Sequence, residues 1–287
     1  MKSRYYIEGL LAAFLFGLTP LFIKQVTANV ITIGIVRLSI AVVLVYLLFV
    51  GKEKIKVLKL RDWKALSLIG FVFGLHWISY FYSVKLATPS IALLGLTSFG
   101  IYVILIDWIF LKRKPTWVDG LSVSIAVAGN LLIVPEFSLQ NDVTVGLLIG
   151  LFSALFFAFL PLLQQRSAHI DSYTRAFGQY FFGLIFFLLF VTESSWDLPA
   201  SDWYHLSILG VVCTLGAHTL WLRATTMLPG TATSIIYYLA IPIAMIASYL
   251  FLEEAMPEKK VIGAVLIIAA NLIGIVKHLK KSAFKKR

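Results

Sequence analysis

Apolar residues in this chain come in runs of about twenty, each closed by a short polar segment, from one end of the sequence to the other. The runs lie near 7–26, 31–50, 66–84, 89–111, 117–134, 145–163, 174–192, 204–222, 231–251 and 261–277. About twenty helical residues cover the hydrocarbon core of a bilayer. Lipid cannot hydrogen-bond to backbone groups, so a spanning segment must be a helix or a strand of a closed barrel. These runs lack the period-two alternation of a barrel. The pattern therefore predicts an all-α integral membrane protein with ten transmembrane helices and both termini on one side.

The second half of the pattern repeats the first. Trp203-Tyr204-His205-Leu206-Ser207-Ile208-Leu209-Gly210 matches Trp63-Lys64-Ala65-Leu66-Ser67-Leu68-Ile69-Gly70 at four of eight positions, at an offset of 140 residues. Pro229 answers Pro89 at the same offset, and Phe251-Leu252 and Asn271-Leu272 answer Phe110-Leu111 and Asn130-Leu131 at 141. Gly146-Leu147-Leu148 answers Gly9-Leu10-Leu11 at 137, and Arg175 answers Arg37 at 138. Residues 5–135 and 144–278 are thus expected to be two copies of a five-helix unit, followed by a basic tail, 279–287. Five is odd, so the copies would face opposite ways across the membrane, as inverted repeats.

Composition agrees with a bilayer protein: 60% of residues are hydrophobic and 14% charged, against about a quarter charged in soluble proteins. The net charge of +11 raises the question of nucleic acid, but its distribution answers otherwise. With both termini in the cytoplasm, inner loops and tails hold twenty Lys and Arg residues. The outer loops hold four, Lys24, Lys85, Lys259 and Lys260, and Arg37 lies within a span. That is the positive-inside bias of a multi-pass protein of the cytoplasmic (inner) membrane, and the tail reads as a retention signal on the anionic leaflet. The single cysteine, Cys213, excludes a disulfide framework. No small-residue cleavage site follows Met1-Lys2-Ser3-Arg4, so the first helix is expected to be retained. Phosphate-binding loops, dinucleotide fingerprints, metal-spaced clusters and nucleophile elbows are absent, and the longest loops, 135–141 and 193–201, are too short for a catalytic domain. The chain reads as no enzyme, with no cofactor and no metal.

Polar residues inside the spans are the candidate chemistry. Arg37 sits about two turns from the outer end of the second run, where a charge is costly unless it is paired or snorkels. Its mate Arg175 sits near the inner end of the seventh. Both fit either function or the capping of carbonyls and headgroups at their own interfaces. His76 and Tyr80 share one helix face, with Trp77 beside them. His218 and Trp221 lie three apart on the equivalent helix of the second copy. Thr97 and Tyr237 lie on the fourth and ninth runs. Core packing explains these residues as well as a cavity wall does. Pro20, Pro161 and Pro242 interrupt helical hydrogen bonding and are candidate hinges. Asp107 lies within reach of Lys112 and Arg113 as a local pair. Ala128-Gly129-Asn130 and Ala269-Ala270-Asn271 are expected to join the fifth and tenth helices through small residues and an amide.

The stretch from Gly210 to Ile273 resembles the second EamA domain of the drug/metabolite transporter superfamily. It contains Leu228-Pro229-Gly230-Thr231-Ala232, Ile241-Pro242-Ile243-Ala244, Phe251-Leu252-Glu253-Glu254 and Gly263-Ala264. The first half is similar through Gly9 to Lys24, Arg37 and Phe110-Leu111-Lys112-Arg113-Lys114-Pro115-Thr116. Two positions depart from the family pattern. Tyr102 stands where a proline is usual, which predicts a straighter fourth helix than ninth, and Arg113 stands where glutamate is usual. The resemblance implies inverted repeats, alternating access and a central cavity lined by helices one, three, four, six, eight and nine.

These features lead to a secondary or facilitative transporter of a small metabolite, an amino acid or amine, acting as an exporter. His76, Trp77, Tyr80, Thr97, His218, Trp221 and Tyr237 are the candidate substrate-binding residues, and protons the candidate coupling ion. A non-transporting membrane receptor or assembly partner is the alternative.

Overall fold

A computed structural model describes residues 2–112, 114–133, 138–228 and 230–284. Arg113, Pro229, Glu136 and the tail's last three residues lie outside the described residues, as do the side chains of Asp107, Asn271 and all positions from 274 onward.

Among the described residues all regular structure is helical. The elements are α1 (Lys2–Gln25), α2 (Val30–Val45), α3 (Gly51–Lys56), α4 (Leu60–Leu86), α5 (Pro89–Thr97), α6 (Phe99–Leu111), α7 (Trp117–Ile133), α8 (Asp142–Arg166), α9 (Ser172–Leu188), α10 (Ala200–Ile208), α11 (Ala217–Met227), α12 (Gly230–Tyr238), α13 (Ala240–Leu252) and α14 (Glu258–Phe284). A π-helical turn, Tyr46–Val50, joins α2 to α3, and an eight-residue π-helix, Leu209–Gly216, joins α10 to α11. Seven stretches are long and apolar enough to cross a membrane: 3–25, 30–56, 60–86, 89–110, 142–166, 200–227 and 235–252. The remaining three predicted runs fall on α7 and α9, of 17 residues each, and on α14.

Polar residues at the apolar boundaries set the helix starts. Asn29 accepts from the backbone N–H of Thr32, Asn141 from that of Val143, and Asp171 from those of Tyr173 and Thr174, which satisfies donors that a helix N-terminus leaves free.

The two halves pack in corresponding ways. α1 lies against α11 and α13, while α8 lies against α4 and α5; α2 packs on the 209–216 stretch, while α9 packs on α4; α7 pairs with α14. Small residues permit the close approaches. A Cβ on Gly146 would lie 2.4 Å from the Ala87 Cβ, and one on Gly17 would lie 2.6 Å from Ile243. Gly129 and Gly263 face each other's carbonyls across α7 and α14. The predicted small-residue contact between these helices is therefore present, with Gly263 rather than Ala270 opposite Gly129. Asn130 turns away from it, donating to the Ser98 hydroxyl and to the Ala126 carbonyl.

Two aspartates fasten each half to a loop of the other. Asp202, at the start of α10, accepts from the N–H groups of Thr27 and Ala28 at 2.9 Å and from the Thr27 hydroxyl at 2.8 Å, in the α1–α2 loop. Asp62, at the start of α4, meets His169 Nε2 at 2.9 Å in the α8–α9 loop. Asp62 and Asp202 are 140 positions apart, and the loops they hold correspond.

The fourth predicted run is not straighter than the ninth. It breaks at Ser98, between α5 and α6, and the ninth breaks at Leu239, between α12 and α13, 141 residues later. A proline is not needed at the first break. The Thr97 hydroxyl donates back to the Leu94 carbonyl at 2.8 Å, a bond that bends helices, and Asn130 holds the Ser98 hydroxyl at 3.1 Å. By contrast α1 and α8 run unbroken through Pro20 and Pro161.

Candidate functional site

Between the halves lies a cavity of about 30 Å³, room for a water or two but not for a metabolite. Phe16 and Thr19 of α1, Arg37 of α2, and His76, Trp77, Tyr80 and Phe81 of α4 form one part of its wall. Leu93 and Leu96 of α5, Phe157 of α8, His218 of α11 and Tyr237 of α12 complete it. The first, third, fourth, sixth, eighth and ninth runs all contribute, as the resemblance implied, and the second adds Arg37.

Five of the seven candidate residues come together here: His76, Trp77, Tyr80, His218 and Tyr237. Trp221 stands one layer behind, 5.8 Å from the Phe16 ring and 5.4 Å from Tyr237. Thr97 is fully buried, and its hydroxyl is engaged at the α5 break rather than in the cavity wall.

Phe16 and Phe157 were not identified from the sequence, yet they give the cavity its order. His76, from the first half, lies 5.0 Å from Phe157 of the second; His218, from the second half, lies 4.7 Å from Phe16 of the first. Each phenylalanine is four residues before a proline, Pro20 or Pro161. Proline has no N–H, so the helical bond that would close on the Phe16 or Phe157 carbonyl is missing in both helices at the level of the cavity. The shared spacing of 141 between the two Phe–Pro pairs was the available signal.

Hydrogen bonding places a proton on Nδ1 of His76. The Ser153 hydroxyl donates to the His76 carbonyl at 2.8 Å and lies 2.8 Å from Nδ1. A hydroxyl has one proton, so it must accept from the ring: Nδ1 carries a hydrogen, and Nε2 is an acceptor whenever the imidazole is neutral.

Arg37 and Arg175 have different surroundings. Arg175 is surrounded by acceptors: its Nε donates to the Ile170 carbonyl, Nη1 to the Gln164 carbonyl and side chain and to Thr226, and Nη2 to Ser172. That is the carbonyl-capping role open to both arginines on sequence. Arg37 departs from it. It is fully buried, its Nε donates to the Thr214 hydroxyl at 3.0 Å, and its guanidinium carbon lies 4.2 Å from the Trp77 ring centroid. Neither Nη1 nor Nη2 has a hydrogen-bond partner among the described residues. Thr214 can serve Arg37 because it sits in the π-helix, where its own proton goes to the Leu209 carbonyl five residues back.

Polar ties lie on either side of the cavity along α1. Toward the N-terminal end, Glu8 receives Arg223 of α11 through Nη2 at 3.0 Å and Nε at 3.1 Å, and Arg4 at 2.8 Å. Arg223 also donates to the Tyr173 hydroxyl. Toward the C-terminal end, Lys24 donates to the carbonyls of Lys85 and Ala87 at 2.8 and 2.7 Å, and Lys85 donates to that of Val26. Nearby, Ser90 and Lys260 both bond to Glu254. Burial pushes the Glu254 carboxyl up, but its bonds to Lys260, Ser90 and Thr88 outweigh this and hold it below the usual glutamate value.

Comparison with known proteins gives the family. The EamA-like transporter family model matches residues 3–134 and again 144–275. The pseudopaline exporter CntI of Pseudomonas aeruginosa (strain UCBPP-PA14) is 30% identical over 272 residues, covering 91% of this chain and 92% of its own. The S-adenosylmethionine uptake transporter of Rickettsia conorii is 24% identical over 250 residues, covering 86% and 82%. An uncharacterized transporter, YxxF, of Bacillus subtilis is 23% identical, covering 98% and 92%. Among solved crystal structures, one chain aligns at a TM-score of 0.70 with 16% identity, covering 95% of this chain and 97% of its own, which speaks to the fold alone. With the family model covering both halves and helices able to cross a membrane in each, the chain belongs to the EamA-like transporter family and is a multi-pass membrane transporter of the drug/metabolite type, not an enzyme.

Proposed function

We propose that this protein exports a small metabolite, an amino acid or amine, across the cytoplasmic membrane by alternating access. In this reading ten spans form two inverted five-helix repeats, both termini lie in the cytoplasm, and the cargo occupies the central cavity among His76, Trp77, Tyr80, His218 and Tyr237. The observation that carries it is the exchange symmetry across that cavity. His76 against Phe157 and His218 against Phe16, Asp62 on one loop and Asp202 on its counterpart, are the contacts expected when two inverted copies rock about a shared midplane site. The Glu8–Arg223 tie would then close the cytoplasmic side and the Lys24–Lys85 tie the outer side, with Pro20, Pro161 and Pro242 as hinges. At about 30 Å³ the cavity must widen before cargo enters, which fits a hinged mechanism. Relatives named as an exporter and as an uptake transporter leave direction to experiment.

Flux of a labelled metabolite panel through liposomes holding the purified protein tests the function. Protein-dependent flux of at least one panel member is expected, and none would favour the receptor alternative. In a variant with Cys213 replaced, single cysteines at 76, 80, 218 and 237 should react with polar thiol reagents and be protected by the transported compound. Failure of all four to react from either side would remove the cavity as the path. Proton coupling predicts that an imposed pH gradient drives accumulation.

A further inference from the structure

We propose that the cargo carries a carboxylate and that Arg37 binds it. The inference rests on the cavity being the cargo site and deepens that reading by choosing between its substrate classes. Arg37 is fully buried and forms a salt bridge with no described residue, and none of the twelve side chains lining the cavity is acidic. Thr214 holds Nε, and the Trp77 and Phe81 rings lie 4.2 and 5.0 Å from the guanidinium carbon. The side chain is thereby oriented, and both Nη groups are buried without any partner among the described residues, on a residue that lines the cavity. Two parallel Nη donors match the two oxygens of a carboxylate.

A guanidinium buried without counter-charge is costly to the folded protein. Arg175 shows how this chain quiets a buried arginine whose role is structural, by surrounding the group with carbonyls and hydroxyls. Arg37 receives one hydroxyl, which leaves its fork for a group that arrives and departs. A simple amine fares poorly in the same place, because its ammonium would face the fixed positive charge with no acid nearby. The rings of Phe16, Phe157 and Tyr237 suit the apolar body of the same molecule.

The test is binding and liposome flux of matched pairs: phenylalanine, leucine and methionine, each beside its amide and its decarboxylated amine, with chloride and inorganic phosphate as controls. Full-length wild type should be stabilised and crossed by at least one carboxylate, at least tenfold better than by its amide or amine. In Arg37→Met that preference should vanish. In Arg37→Lys, which keeps the charge but not the fork, it should fall severalfold. Without ligand, Arg37→Met should melt no lower than wild type; a clear drop would mark Arg37 as structural. No response to any carboxylate, a preference undiminished in Arg37→Met, or an equal response to chloride or phosphate overturns the proposal. A cavity-filling variant, Leu93→Trp, separates the two levels. If carboxylate binding survives both Leu93→Trp and Arg37→Met, the cavity is not the cargo site; if it fails only in Leu93→Trp, the cavity stands and the Arg37 assignment falls.

Discussion

With the termini in the cytoplasm as proposed, Glu8→Ala is expected to open the cytoplasmic side of the protein and to reduce transport by an order of magnitude or more. Glu8 and Arg223 are only 9% and 15% exposed in their side chains, so their contact is a largely desolvated pair linking α1 to α11. Removing one partner of a buried pair strands the other charge, at about 3–5 kcal/mol. Here the Tyr173 hydroxyl remains with Arg223, and the partial exposure admits water, which brings the expected cost to about 2 kcal/mol. In a two-state equilibrium that is roughly a thirtyfold shift away from the closed arrangement. Thiol labelling of cavity cysteines from the cytoplasmic side should rise accordingly. Glu8→Ala/Arg223→Ala should melt higher than Glu8→Ala, since the double variant strands no charge. Equal labelling of wild type and Glu8→Ala would remove the pair as a gate.

The second large effect is expected where α7 meets α14. A Cβ on Gly129 would lie 2.8 Å from the Gly263 carbonyl oxygen, and one on Gly263 would lie 2.6 Å from the Gly129 oxygen. A carbonyl cannot rotate away as a side chain can, so either substitution must part the helices. Overpacking in well-packed interiors costs about 1–3 kcal/mol and at times more. Gly129→Val and Gly263→Val should each lower the melting temperature in detergent by several degrees or abolish folded expression. Gly120, on the same α7, supplies the control: nothing lies within 4 Å of its would-be Cβ. Gly120→Ala should be neutral or stabilising by up to about 1 kcal/mol through helix propensity. Three variants with matching melting temperatures would show that the close crossing does not hold the helices.

What could be read from the sequence follows from what lipid does to it. Each span had to be apolar along its length, so runs of about twenty residues announced themselves, and the odd helix number per copy with the lysine and arginine bias suggested inversion. Lipid also erases the contrast that shows which face of a helix is inward, because a lipid-facing leucine and a core leucine look alike. On sequence Thr97 and Trp221 are therefore indistinguishable from the cavity-lining residues, while Phe16 and Phe157 look like ordinary apolar residues. The break at Ser98 came from a threonine back-bond and a distant asparagine, neither of which has the local signature of a proline. Arg37 was conspicuous as a buried charge, but whether acceptors surround an arginine is a tertiary fact, and only the structure separates it from Arg175.

The crossed fastenings have a consequence for how the chain is made. Asp62, His76 and Ser83 are translated and inserted well before their partners His169, Ser153 and Gly146. Until the second half is made, these polar side chains of the first half lack the partners they have in the finished fold. Contacts between the halves must follow synthesis of the second half. A chain ending at residue 140 would lack all three of these partners.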